Sequence, residues 1–173
     1  MSAATCQAQA GTGASVSWAN AEGGCTFNLA DSITSTTPIA IPTATGTNFS
    51  WIKNLAIAVT VAGTTNMTNR TIKMSASLST GLNLWWKDVA QASYAQAASG
   101  NRPASSGSNG ATPAGYTSMT TSAQQWDNTS HATSGTGPNG DMVVVVLGVD
   151  NLYVLGAGSA ISLGNIIVSY DEA

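Results

Sequence analysis

Arg70-Thr-Ile-Lys-Met-Ser-Ala-Ser-Leu78 and Met142-Val-Val-Val-Val-Leu-Gly-Val149 are the two stretches from which the fold can be read. In the first, Ile72, Met74, Ala76 and Leu78 alternate with Thr71, Lys73, Ser75 and Ser77. A period of two is that of a strand, with one face in a core and the other in water. The second is apolar at both parities, as expected of a central strand covered on each side. Working outward, Leu55, Ile57, Val59 and Val61 form one face of a strand over residues 51–61, with Ala56, Ala58 and Thr60 on the other. A polar, turn-rich connection over residues 62–69 joins it to the Arg70 strand. Leu82, Leu84 and Trp86 alternate with Asn83, Trp85 and Lys87. Phe27 and Leu29 alternate, as do Ile39 and Ile41, but Pro38 and Pro42 demote the latter piece to an edge. Asp150-Asn151 before Leu152-Tyr153-Val154-Leu155 is a hairpin signal. Between Ile161 and Tyr170 the alternation changes phase, which predicts a β-bulge at Gly164-Asn165.

Seven or eight short strands, almost no helical periodicity and Gly/Pro-rich turns predict an all-β fold, an antiparallel β-sandwich or jelly roll. Residues 1–24 hold only Val16 and Trp18 as sizeable apolar side chains and read as an extended N-terminal arm or a loosely attached first strand. Residues 25–173 then form one domain, with a long glycine-rich insertion loop over 99–140. Tyr116, Met119 and Trp126 argue for partial order within that loop, because large apolar side chains are costly to leave in water. The Ala/Gln-rich stretch 89–98 fits either a short helix or an irregular edge.

Composition removes several functional classes. Charged residues are 8% of the 173, against about 25% in an average globular domain. Ser, Thr, Asn and Gln number 21, 22, 13 and 6, so solubility rests on neutral polar groups. At 43% hydrophobic, the chain does not have the composition of a disordered one. No Lys or Arg precedes Lys53, so there is no basic stripe for nucleic acid. Residues 142–149 are too few to span a bilayer. The first ten residues carry neither the basic nor the apolar part of a secretory signal, and synthesis in a cytoplasm without export is expected.

No residue pattern announces a catalytic chemistry. A hydrolytic triad would need His131, the single histidine, and Gly156-Ala-Gly-Ser-Ala160 does not form a nucleophile elbow. Asp88, Asp127, Asp141 and Asp150 each lie in or beside a turn, where Asp bonds the backbone, which favours a structural role over a glycosidase pair. Cys6, Cys25, His131 and the scattered aspartates lack metal-ligand spacing, and no calcium loop is present. Gly11-Thr-Gly13 is not continued as a dinucleotide fingerprint, since Val16 stands at its last position. Sequons at Asn48, Asn66, Asn69 and Asn128 are about as many as chance gives in a chain so rich in Ser and Thr. Neither a catalytic residue nor a metal or cofactor is expected.

Two structural features stand out. Cys6 and Cys25 could close a 20-residue loop as a disulfide, the alternative being two free thiols. Trp85 falls on the polar face of its strand, where it is either covered by the long loop or held for a partner. With Trp126 and Tyr116 it is a candidate interface residue, because buried interface centres are depleted of charge and rich in aromatics.

The texture of Asn54-Leu-Ala-Ile-Ala-Val-Thr60, of Ser75-Ala-Ser-Leu-Ser-Thr-Gly-Leu-Asn-Leu-Trp-Trp86, of the glycine-rich insertion and of Gly164-Asn-Ile-Ile-Val-Ser-Tyr170 resembles the capsid decoration, or cement, proteins of tailed bacteriophages. The likeness implies a non-enzymatic virion component on the capsid exterior, bound to the major capsid protein and commonly a homotrimer, with no nucleic-acid or membrane partner. It transfers no site residues. A rival class is a carbohydrate-binding or adhesin-like β-sandwich module of a fibre or cell surface, in which exposed Trp beside Asn or Asp would stack on sugars.

Overall fold

The computed structural model of the chain describes residues 2–35, 37–154 and 165–173. It is all-β, with single 3-10 turns at Gln91–Ser93 and Ser99–Asn101. The strands among the described residues are β1 (Thr5–Thr12), β2 (Ser17–Asn20), β3 (Thr47–Phe49), β4 (Lys53–Val61), β5 (Asn66–Met74), β6 (Leu82–Val89), β7 (Thr117–Ser118), β8 (Gln124–Asp127), β9 (His131–Ala132), β10 (Gly137–Pro138), β11 (Met142–Asp150) and β12 (Ile166–Glu172). They make two antiparallel sheets. The larger has eight strands in the order β2-β1-β4-β11-β6-β7, with β10 also on β4 and β3 also on β11; the smaller has β12-β5-β8, with β9 also on β5.

The two sheets share one core. Leu55, Ile57 and Val59 of β4, Leu82, Leu84 and Trp86 of β6, and Val143, Val145, Leu147 and Val149 of β11 face Met67, Ile72 and Met74 of β5 and Trp126 of β8. These are the parities that alternation assigns to the core. The opposite face of the large sheet is also closed. Ala56, Met142 and Val144 pack with Ala97, Tyr94 and Tyr116, while Val146 and Trp85 pack with Phe49. Residues 91–116 and β3 therefore form a third, irregular layer, which explains why β11 is buried at both parities along its whole length.

Several expectations are corrected here. Residues 5–12 and 17–20 are not a free arm: β1 pairs with β4 over seven positions and with β2 on its other side. Backbone bonding holds this hairpin where side-chain burial is sparse. The stretch 99–140 contains four short strands in place of one loop. β5 starts earlier than alternation suggests and ends at Met74, so Ala76 and Leu78 lie beyond it. Residues 27–29 and 39–41 form no strand, and residues 152–154 do not return as a hairpin strand. The expected bulge at Gly164-Asn165 and the stretch 155–163 fall outside the described residues, apart from Asn165 itself.

An irregularity that alternation does not reveal sits in β5. Asn69 has a φ of 50°, and the ladder slips between Arg70 and Thr71 against β8 and between Ser169 and Asp171 against β12. One extra residue is accommodated there. In consequence Met67 and Arg70, three apart, both point inward, in phase with Ile72 and Met74.

Gly148 of β11 lies on the same face of the large sheet as Trp85 of the neighbouring β6. A Cβ there would collide with the Trp85 ring and approach Thr47 Cγ2 at 2.8 Å. Gly148→Ala is expected to destabilise the fold by about 1–3 kcal/mol through overpacking, with unchanged secondary structure. A denaturant melt showing no loss would mean that the ring has free room.

Candidate functional site

The candidate interface residues are placed by these layers. Trp85 is 1% exposed; its ring meets Phe49 at a centroid distance of 5.5 Å, and Nε1–H donates to Thr112 Oγ1 at 3.2 Å. Trp126 is buried in the shared core. Neither is available to a partner, because the chain's own loop covers Trp85, and Trp126, on β8 of the smaller sheet, is covered by the larger one. Tyr116 is half-buried, with Lys87 Nζ 4.9 Å from its ring centre, and burial pushes its hydroxyl up to about 12. The structure thus gathers Trp85 and Tyr116 on one face and puts Trp126 on the other.

Cys6 and Cys25 are both free and half-buried. Cys6 and Tyr170 pack against the same core, and the nearby thiol, then burial, push the Tyr170 hydroxyl up to about 12. Cys25 lies near Lys53, and burial raises its thiol while the Lys53 charge opposes. The thiols have separate neighbours and no disulfide joins them.

The polar side chains of the interior form two clusters. In the first, Arg70 is fully buried. Its Nη1 donates to Asp127 Oδ2 at 2.5 Å, Nη2 to Asn139 Oδ1 at 2.5 Å and Nε to Met67 Sδ at 3.2 Å. Asp127 Oδ2 also meets His131 Nε2 at 3.1 Å and accepts the Asp141 N–H at 3.2 Å, while Oδ1 accepts the Thr129 N–H at 2.8 Å. Burial disfavours the Asp127 charge, yet the two N–H bonds, Arg70 and His131 outweigh it and hold the carboxyl below its ordinary value. Asp88 is shifted the other way, by burial and then by the charges of Asp141 and Asp127. Gly140, at φ +70°, lies against the guanidinium, where any Cβ would collide. Two of the aspartates weighed as catalytic carboxylates, Asp127 and Asp141, thus lie with His131 beside Arg70, and Asp127 is fully engaged in holding it, whereas Asp88 is exposed on β6. Asp150 caps the far end of β11, accepting the Leu152 N–H at 3.3 Å.

In the second cluster, Lys53 Nζ donates to Asn28 Oδ1 at 2.9 Å, Ala30 O at 2.9 Å and Ser32 O at 2.7 Å. Asn28 Nδ2 donates to Ser32 O and Ser35 O, and its Oδ1 accepts the Ala30 N–H. Both side chains are buried. The sequence carried a signal for each cluster. Lys53 shares the parity of Leu55, Ile57 and Val59, and Arg70 that of Ile72 and Met74. A charged residue in phase with a core face marks a buried, partnered charge.

The surface cleft of greatest note is open, about 220 Å³, and lies at the edges of both sheets between Met74, Leu78, Leu82 and Met119. Among the described residues no group of three or more His, Cys, Asp or Glu side chains is placed to hold a metal ion. Among the described residues no helix is long and apolar enough to cross a membrane. Val61, Leu152 and Val154 are exposed large apolar side chains. No protein-family model, curated protein or solved structure matches the chain.

Proposed function

We propose that the protein is a non-enzymatic structural component of a virion that binds the outer surface of a capsid, bridges neighbouring capsomers as a homotrimer and stabilises the shell. In this reading the two sheets form a β-sandwich of the jelly-roll type. The observation that carries it is where the few charges go. Lys53, Arg70, Asp127 and Asp150 are buried, Lys87 lies over the Tyr116 ring and Arg102 points to the Phe49 carbonyl. Of the charged residues only Glu22, Asp88, Asp171 and Glu172 are exposed, and the rest of what faces outward is largely hydroxyl, amide and apolar. Net charge keeps soluble proteins apart, and a surface with so few charges lets many copies pack closely on a lattice. The alternative, a carbohydrate-binding module, needs a tryptophan face open to solvent. Trp85, Trp86 and Trp126 are buried, and Trp18 and Trp51 are half-buried against the second face, so no observation favours it.

Capsids lacking the protein test the proposal. Adding the purified chain should give saturable binding at a fixed number of copies per capsomer and raise the temperature of capsid disruption. Binding to a glycan array with no binding to capsids would overturn it.

A further inference from the structure

The two ends of the packed sheets differ in what they expose. At the end where β5 and β11 finish and β6 and β12 begin, residues 75–82, 117–122, 151–154 and 165–166 contain no Lys, Arg, His, Asp or Glu. Asp150, beside this end, is buried, and Lys73 takes the outer face of the small sheet, opposite in parity to Ile72 and Met74. The exposed acids, Glu22 beside β2 apart, belong to the far ends of β6 and β12: they are Asp88, Asp171 and Glu172. Asp127, Asp141 and His131 gather at that same far end.

The charge-free end carries both a hole and a knob. The hole is the cleft of about 220 Å³, in which Met74, Leu82 and Met119 are buried while Ser77, Asn83 and Ser118 reach solvent. An apolar floor inside a polar rim is the anatomy of an interface centre. Its volume is several times the roughly 30 Å³ that one water occupies in the liquid, so it has room for an aliphatic side chain. The knob is Val154, 84% exposed, with Leu152, 53% exposed, beside it. Between them Tyr153 lies against Gly81, where a Cβ would meet its Cα at 2.7 Å. That contact seats the knob next to Leu82 of the cleft, yet Val154 stays outside it.

We propose that this end is the contact between copies of the chain, with Val154 of one copy entering the cleft of the next. Charge decides the partner. The chain carries a net charge of -3, and copies meeting at the far end would bring its exposed acids together, which costs free energy in any contact that excludes water. The charge-free end has no such cost. Knob and hole on one chain also make this surface complementary to a second copy of itself, with the knob of each serving the hole of another. The inference deepens the capsid reading, and the number of copies, three, rests on that reading; the contact itself does not.

Sedimentation of the purified full chain without capsids tests the contact, and self-association that grows with concentration is expected. Val154→Asp, which puts a charge into an apolar hole, and Ser77→Trp, which fills the hole from its rim, should each weaken association about tenfold or more. Urea melts of both should match the parent, since both positions are exposed. Val61→Asp, exposed at the opposite end, should leave association unchanged. A parent that stays monomeric up to about 1 mM, or a Val154 or Ser77 variant that associates as the parent does, would overturn the contact. So would an equal loss in Val61→Asp. Capsid binding is measured separately: chain that associates through this contact yet binds no capsid supports the contact and overturns the capsid reading, whereas monomeric chain that binds capsids does the reverse.

Discussion

Trp85→Ala is expected to lower folding stability by about 3–5 kcal/mol, as much as Trp86→Ala, although the two rings point to opposite faces of β6. Alternation alone puts Trp86 in the core and leaves Trp85 on a polar face. In the structure Phe49, Val146 and the loop bearing Thr112 and Tyr116 enclose it. Truncation would empty a large cavity next to Gly148, which has no side chain to fill it. Neither helix propensity nor charge enters, so the loss reads as transfer free energy plus cavity. Urea melts of the two variants check the magnitude, and sedimentation checks that the oligomeric state is unchanged. If Trp85→Ala stays within about 1 kcal/mol of the parent while assembly weakens, the third layer does not close over the ring in solution.

Asp127→Ala should be of similar size. Removing one partner of a buried ion pair strands the other, and such losses run at about 3–5 kcal/mol. Arg70 would keep only Asn139 and the Met67 sulfur. Replacing both members together with apolar residues, as in Arg70→Met with Asp127→Leu, is expected to cost less than Asp127→Ala alone, since no uncompensated charge remains. The pH dependence has a definite sign. Asp127 is held below its ordinary value of 3.8, so the stability it contributes is fully present above that value and is lost as pH falls through the lower folded value. Glu172, lowered from its ordinary 4.5 by the Ala4 N–H and the Thr65 hydroxyl, acts in the same direction. Asp127→Asn should therefore lose less stability than the parent as pH falls below about 4. Parallel acid slopes for the two proteins would show that Asp127 has no special share in holding the fold.

How far the fold and the site could be read beforehand follows from what kind of interaction places each residue. Alternation sufficed for β4, β6 and β11, because in a strand the neighbour's parity already says which face a side chain takes. It also showed Lys53 and Arg70 in phase with core positions, although the meaning of a charge there depends on partners. Those partners are Asn28 and Asp127, 25 and 57 residues away in sequence. The bulge at Asn69 turns Arg70 inward beside Met67, and it arises from ladder register against β8 and β12, which no local pattern contains. The hairpin of β1 and β2 was legible only as one of two alternatives, a loosely attached first strand, because backbone hydrogen bonds to β4 hold it and the side chains it buries, such as Ala10, are small.

What the amino-acid sequence determined alone was therefore local: strand periodicity, an all-β class, and a charge-poor composition that leaves neutral polar groups to face water. Tertiary structure decided which apparently polar faces are covered. Residues 91–116 fold back over the large sheet, so Trp85 is core and not surface. It also decided that Asn28 meets Lys53, whose buried ammonium donates to its side-chain oxygen. The physical reason is the range of the forces: side-chain alternation is a property of neighbouring residues, whereas desolvation, ion pairing and register belong to segments that meet only when the chain has closed.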